Sequence, residues 1–170
     1  MRCRLTVSGI GCGALFGAAI LLQAAALSKT DVQFMNMAAT KNMTEAHLGQ
    51  MAEAQASEPA VKDFGRKLSN DHTSAYEELS VLANKNSEAI PKAIHDKSIA
   101  RLARLKGKSF DRAFIQDEVQ SHKATLAVFK NEAEHGENAE VKAWAKNMIP
   151  TLEGHLQTAE NLANAKKPNK

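Results

Sequence analysis

Residues 59–82 read PAVKDFGRKLSNDHTSAYEELSVL, and their periodicity decides the fold class. Apolar residues recur here at spacings of three, four or seven, which is the pattern of a helix with one buried face. Pro59 stands in the first turn, where its missing N–H costs nothing, and Ser57 is expected to be the N-cap. The buried face includes a histidine and consists of Val61, Leu68, His72, Ala75, Leu79 and Leu82.

Three further segments carry the same kind of pattern, each with one polar residue in its apolar stripe. A helix over about 31–56 carries Glu45, a helix over about 109–135 carries His122, and a helix over about 138–165 carries His155. With the segment at about 58–84, the chain therefore has four long amphipathic helices. Ser109 and Asn138 are the expected N-caps of the last two.

The connection between the second and third long helices is the longest in the chain. Residues 96–106 are expected to form a short helix ended by Gly107, so that roughly two dozen residues separate the long helices. A ferritin-type crossover uses a connection of this length. The sequence predicts an all-α fold: a ferritin-like antiparallel four-helix bundle with a short helix in this crossover.

The two halves of the chain also echo each other. Val61–Arg66 reads VKDFGR and Val141–Lys146 reads VKAWAK, which match in residue character. A duplicated helical hairpin would produce such a match.

The first 26 residues have the features of an export signal. Arg2 and Arg4 precede an apolar stretch from Leu5 to about Leu22, and Ala24–Ala26 gives the small-x-small pattern of a signal-peptidase site. We expect this leader to be removed, leaving residues 27–170 as a single helical-bundle domain in the periplasm or outside the cell. A retained membrane anchor is the alternative, because the apolar stretch is near the lower length limit for a bilayer span.

The composition of the exported part restricts its ligands and partners. Cys3 and Cys12 both lie in the leader, so the remaining chain has no thiol and no disulfide, and any metal site must use His, Asp or Glu. Loss of Arg2 and Arg4 lowers the formal net charge from +3 to +1. Nothing in this charge balance indicates nucleic-acid binding, which needs basic residues gathered on one face. The expected partner is another envelope component, with no nucleic acid and no membrane span after leader cleavage; the oligomeric state is left open.

Polar residues near the middle of the long helices lie at similar distances from the tight turns expected at residues 57 and 137. Offsets of three residues correspond to about 4.5 Å of helix rise, which is small beside helices about 40 Å long. In a packed bundle these side chains share one level of the interior, where three imidazoles and a carboxylate suit one zinc, iron or copper ion. The predicted ligands are Glu45, His72, His122 and His155.

Three acids could orient these ligands by accepting a hydrogen bond from the second ring nitrogen, because each adjoins a histidine or lies about a turn away. They are Asp71, Glu118 and Glu153. The alternative is that the histidines are core residues, each hydrogen-bonded to an acid or a backbone carbonyl of a neighbouring helix. The bundle would then be a structural or protein-interaction module of the cell envelope with no metal.

The motifs of bundle oxidases and hydrolases are missing. Di-iron bundles place a glutamate three residues before a ligating histidine, whereas this chain has Ser69, Val119 and Leu152 at those positions. No order of Ser, His and acid suggests a hydrolase, and there is no glycine-rich phosphate loop. We therefore expect binding without catalysis.

Pro150 lies inside the fourth long helix and removes the hydrogen bond to the carbonyl of Lys146. A kink or break is expected there, one turn before His155. The freed carbonyl could contribute to a site, or the segment could be two shorter helices.

Several of these elements together resemble a known family. They are Phe34, Ala38, Asn42 and Glu45, then Ala60–Phe64, Asp71–His72, Glu77–Leu79, Phe110–Asp111, His122, and Pro150–Leu152 with His155. In them the chain is similar to the exported bacterial family called domain of unknown function 4142, from about Asp31 to Leu162. The resemblance implies a ferritin-like four-helix bundle in the periplasm or cell envelope and implies no reaction. Gly65 stands where the family more usually has alanine, and we expect only a small cost to helix stability.

Overall fold

The computed structural model describes residues 26–165, which form five helices and no strand. The helices are α1 (Lys29–Gln55), α2 (Pro59–Lys85), α3 (Lys97–Leu102), α4 (Gly107–His135) and α5 (Ala139–Ala165). This architecture confirms the predicted all-α bundle with a short helix in the crossover. Apart from Ala26, the expected export signal lies outside the described residues. None of the five helices has the length and apolarity needed to cross a bilayer.

The four long helices form two antiparallel hairpins, because α1 packs along α2 and α4 packs along α5. The hairpins meet through contacts of α2 with α5 and of α1 with α4. Two hydrophobic clusters fill the interior, one toward each end of the bundle. One includes Phe34, Leu79, Phe129 and Trp144, and the other includes Leu48, Leu68, Phe110 and Phe114. A layer of buried polar side chains lies between them, at the middle of the long helices.

Asp111, near the start of α4, holds the turn between α1 and α2. Its carboxylate accepts hydrogen bonds from the backbone N–H of Ser57 (2.9 Å) and of Glu58 (3.1 Å), and from the Ser57 hydroxyl (2.5 Å). The expected N-cap role of Ser57 is therefore wrong. Glu58 is the N-cap and makes no side-chain capping bond, since the aspartate from the other hairpin satisfies this turn.

Asp31, near the start of α1, does the same for the turn between α4 and α5. It accepts hydrogen bonds from the backbone N–H of Glu137 (3.1 Å) and Asn138 (3.2 Å) while it forms a capping box with Ser28. Burial alone would raise the pKa of Asp31, but these hydrogen bonds lower it. Each hairpin thus closes the turn of the other. The matching positions of Asp31 and Asp111 agree with a duplicated hairpin.

The end of the short helix and the start of α4 differ from the predicted positions. The short helix ends at Leu102, and Gly107, expected to terminate it, instead begins α4 with a φ of +56°. Ser109 consequently lies inside α4, where it cannot be the N-cap. Asn138 does cap α5, because its side-chain oxygen accepts hydrogen bonds from the backbone N–H of Glu140 and Val141.

The backbones of α1 and α2 come closest at two glycines. A Cβ on Gly49 would lie 2.5 Å from the carbonyl oxygen of Gly65 and 2.6 Å from the backbone nitrogen of Ser69. A Cβ on Gly65 would lie 2.7 Å from the carbonyl oxygen of Gly49. The expectation that Gly65 affects only helix stability is therefore wrong: the missing side chain lets the two helices approach.

α5 continues through Pro150, so the expected break into two helices does not occur. Pro150 and Lys146 are both exposed. Water can therefore reach this turn, where the carbonyl of Lys146 loses its helical partner.

Candidate metal centre

Three histidines from three helices meet in the polar layer. The ring centroids of His72 and His155 are 5.1 Å apart, those of His122 and His155 are 5.3 Å apart, and those of His72 and His122 are 5.7 Å apart. None of the three side chains is more than 3% exposed. We call this group the histidine cluster. The structure thus brings together the three rings that the sequence placed at one level.

The orientation of the His72 ring is set by Asn42 of α1. The Asn42 side-chain N–H donates to the carbonyl of Ala38 at 2.8 Å, which leaves its oxygen to face His72. Nδ1 of His72 lies 2.8 Å from that oxygen and must therefore carry the proton. The second nitrogen, Nε2, is left with a lone pair.

The other two rings are held in the same way by acceptors outside the cluster. Nδ1 of His122 donates to the backbone carbonyl of Glu118 at 3.0 Å, so its Nε2 is the unprotonated nitrogen. Nε2 of His155 donates to the carboxylate of Asp71 at 2.7 Å, so its Nδ1 is unprotonated. Such hydrogen bonds fix both the tautomer and the ring angle of metal-binding histidines.

One nitrogen of each ring consequently has no hydrogen-bond partner within residues 26–165. These nitrogens are Nε2 of His72, Nε2 of His122 and Nδ1 of His155. One nitrogen from each ring lies within 4.8 Å of one from each of the other two. Three buried acceptors without donors are an unusual cost in a protein interior, where nearly all polar groups are satisfied.

The histidine cluster is electrically neutral at ordinary pH. Burial, together with the neighbouring imidazoles, lowers the pKa of His72 to about 3, although the charge of Glu45 acts in the opposite direction. Burial also lowers the pKa of His122 and of His155. Neutral imidazole is the form that binds metals, so the cluster has ligand-ready rings without prior loss of a proton.

Glu45 groups with Glu118 and His122 rather than with all three histidines. Oxygen or nitrogen atoms of Glu45, Glu118 and His122 lie within 4.8 Å of one another. One oxygen of Glu45 accepts hydrogen bonds from the Ser121 hydroxyl (2.5 Å) and the Lys41 ammonium (3.4 Å). We call Glu45 and Glu118 the carboxylate pair. The single four-ligand set expected from the sequence is thus divided into two groups that share His122.

The two carboxyl groups of this pair have opposite ionisation behaviour. Burial, with the charge of Glu45 next to it, raises the pKa of Glu118 well above its usual range. Burial alone would raise the pKa of Glu45 as well, but the positive charge that His122 and His72 carry when protonated, the Lys41 ammonium and a hydrogen bond from Glu118 lower it. Glu45 is therefore the charged member of the pair and Glu118 the protonated one.

Of the three expected orienting acids, Asp71 accepts a histidine N–H through its carboxylate, whereas Glu118 accepts the N–H of His122 through its backbone carbonyl. Asp71 was placed beside His72 by sequence adjacency, and it instead binds His155 across the helix interface. The predicted role of Glu153 is wrong, because its half-exposed carboxylate forms an ion pair with Lys130 at the surface.

The sequence analysis did not assign Asn42 or Ser121 to the site, although Asn42 is among the residues that carry the family resemblance. Asn42 lies one turn before Glu45 on the inward face of α1 and Ser121 directly precedes His122. The inward position of Asn42 could have indicated a site residue. The position of Ser121 could not, because its partner, Glu45, lies on another helix.

Two cavities reach the polar layer from the surface. The first, of about 310 Å³, is lined by both members of the carboxylate pair and by Lys41, Asp96 and Asp117. The second, of about 270 Å³, reaches His72 beside Met43 and His47. Small ions therefore have short routes to both groups.

The burial of neutral imidazoles predicts destabilisation by acid. A histidine with an ordinary pKa near 6.5 when unfolded and about 3 when folded makes the unfolded state bind more protons between these values, so stability falls as pH falls. At pH 5 the loss attributable to His72 is about 2 kcal/mol. The raised pKa values of Glu118 and of Glu132, the latter about 7, act in the opposite direction.

The effect of His72 is therefore measured as a difference between two proteins. Urea unfolding of metal-free protein at pH 7 and at pH 5 should show a larger loss for the wild type than for His72→Asn, whose amide does not titrate. Equal losses in the two proteins would contradict a buried neutral His72.

Comparisons with known proteins place this geometry in context. Residues 18–162 match the family model described as "Domain of unknown function (DUF4142)". Among curated protein sequences, none matches the chain.

Several solved structures share the fold. A DUF305 fragment from Deinococcus radiodurans is 13% identical with a TM-score of 0.74, over 83% of this chain and 99% of that one. CopM in its Cu(I)-bound form is 19% identical with a TM-score of 0.69, over 81% of this chain and 98% of that one. CopM in its Cu(II)-bound form is 17% identical with a TM-score of 0.68, over 81% and 98%. At these identities the likeness shows the fold alone.

Proposed function

This chain belongs to the family described as domain of unknown function 4142, and we propose that it is an exported metal-binding protein whose histidine cluster holds one transition-metal ion, copper in the first place. Two observations carry the proposal: one nitrogen from each of the three buried rings lies within 4.8 Å of the others, and each ring has one nitrogen without a hydrogen-bond partner among the described residues. Each ring is already fixed through its other nitrogen. Zinc and iron, which imidazole also binds, are the next candidates.

The geometry of the cluster is close to what such an ion needs. Metal–nitrogen distances of about 2.0–2.1 Å require ligand nitrogens about 3.3–3.6 Å apart in a tetrahedral or trigonal arrangement. The three rings come from α2, α4 and α5, and their ligand atoms are already within 4.8 Å of one another.

The energetics also favour an occupied cluster. An unsatisfied buried acceptor costs about 1–3 kcal/mol, and this layer contains three of them side by side. A bound ion satisfies all three at once. The ionised Glu45 nearby offsets part of the charge of the ion.

The fold of CopM supports copper as the first metal to test. CopM has been solved with Cu(I), with Cu(II) and with silver, on a bundle of the same topology. The expected leader at residues 1–26 supports a location in the periplasm or outside the cell. A protein there contacts incoming copper before the ion reaches the cytoplasm. Binding and sequestration, without a reaction, is the function we assign.

Removal of one cluster histidine should abolish stoichiometric metal binding. Untagged protein stripped with a chelator is titrated with Cu(II) and with Zn(II), and the bound metal is counted by elemental analysis. The wild type should bind one ion in the cluster, and His122→Asn should bind none there. Metal at a concentration a thousandfold above Kd should also raise the free energy of unfolding of the wild type by about 4 kcal/mol.

His135→Asn is the matched control for this experiment. It changes a histidine of the same helix that is exposed and lies outside the cluster. It should bind metal like the wild type. A wild type that binds no metal, or a His122→Asn variant that binds as much, would overturn the proposal and favour the alternative of a metal-free structural or interaction module.

A further inference from the structure

The carboxylate pair is the second unusual feature of the polar layer. Glu45 is 3% exposed and Glu118 is 1% exposed, although each carries a carboxyl group. Acidic side chains are almost never buried to this extent unless they are paired or bind a metal. The pair therefore needs a partner of opposite charge or a shared proton.

The contacts of the pair leave three oxygens available. Lys41 and Ser121 occupy only one oxygen of Glu45. The other oxygen of Glu45 and both oxygens of Glu118 accept no hydrogen bond from any described residue outside the pair, and the two side chains share one hydrogen bond with each other, whose proton a bound cation would replace. Nδ1 of His122 lies 3.2 Å from Oε2 of Glu118, but it donates its hydrogen bond to the backbone carbonyl of Glu118.

We propose that the carboxylate pair binds a second cation, adjacent to the histidine cluster and bordered by His122. The available oxygens of Glu45 and Glu118 form the ligand set, and water in the cavity of about 310 Å³ that both carboxylates line completes it. Carboxylate and water ligands select oxygen-preferring divalent ions such as Mn²⁺ over copper. The proposal extends the function above, since His122 belongs to both groups.

The two sites can be separated because each has ligands that the other lacks. His155 belongs to the histidine cluster alone, and Glu118 belongs to the carboxylate pair. Glu118→Gln keeps the size of the protonated side chain but cannot supply a carboxylate. His155→Asn removes one imidazole and leaves the pair intact.

The experiment uses protein first loaded with zinc and then titrated with Mn²⁺, whose free form gives a six-line paramagnetic resonance signal. The wild type should hold one Zn²⁺ and remove one equivalent of Mn²⁺ from solution. Glu118→Gln should retain Zn²⁺ and bind Mn²⁺ at least about tenfold more weakly, a loss of about 1.4 kcal/mol. His155→Asn should lose Zn²⁺ and retain Mn²⁺.

Two outcomes overturn the second site. Zinc-loaded wild type that takes up no Mn²⁺ would mean that the layer holds a single ion, and unchanged Mn²⁺ affinity in Glu118→Gln would place that ion elsewhere. Glu45→Gln serves as a second variant if Glu118→Gln does not fold, and it should weaken Mn²⁺ in the same way. A wild type that binds Mn²⁺ but no Zn²⁺ would reject the histidine site alone, so the two proposals fail separately.

Discussion

Gly49→Ala should destabilise the bundle by about 3 kcal/mol, near the upper end of the usual cost of overpacking. The new Cβ would meet the backbone of α2 at 2.5 and 2.6 Å, at the carbonyl oxygen of Gly65 and the nitrogen of Ser69. Backbone atoms cannot rotate away as a side chain can, so the two helices must separate. The loss is measured by urea unfolding followed by far-UV circular dichroism.

Gly154→Ala is the control for this substitution. Gly154 is exposed in the middle of α5, and a Cβ there would meet nothing within 4 Å. The helical preference of alanine should therefore stabilise this variant by about 0.5–1 kcal/mol. If the two variants change stability by the same amount and sign, the close approach of α1 and α2 is not the cause.

Asp111→Asn should cost about 3 kcal/mol, because it replaces a buried carboxylate that accepts three hydrogen bonds at the turn of the other hairpin. The amide offers one acceptor oxygen in place of two, and its N–H₂ group faces donors. Two backbone N–H groups, of Ser57 and Glu58, then compete for one partner. Equilibrium unfolding in urea measures the loss.

Asp63→Asn is the matched control, since Asp63 pairs with Arg66 on the exposed surface of α2. Such ion pairs contribute little, so no measurable change is expected. Equal stability of the Asp111 variant and the wild type would show that the reciprocal turn contacts do not hold the hairpins together.

The fold could be predicted from the sequence because the information lies within each helix. The stripe around His72 repeats with helical period, and the similar depth of His122 and His155 follows from counting residues back to a turn. The family match over residues 18–162 confirms the resemblance carried by these elements. Pattern and length therefore determine the architecture and the level at which the polar residues lie.

The contacts between helices could not be predicted in this way. Asp71 adjoins His72 in the chain but points across the interface to His155, and Glu153 turns outward to Lys130. The division of the site into two groups depends on which face of α4 presents Glu118. From the sequence, Gly65 is only a helix residue of low propensity, and its role in the close approach of α1 and α2 depends on the backbone of the neighbouring helix. These contacts depend on how each helix is rotated about its own axis. The periodicity of the sequence determines that rotation only to within about one residue.

The position of the polar layer has a dynamic consequence. Each hydrophobic cluster draws side chains from all four long helices, for example Phe34, Leu79, Phe129 and Val141 toward one end of the bundle. The hairpins are thus joined by apolar contacts on both sides of the polar layer. We therefore expect an ion to enter or leave the proposed sites by local opening of this layer, without separation of the two hydrophobic clusters.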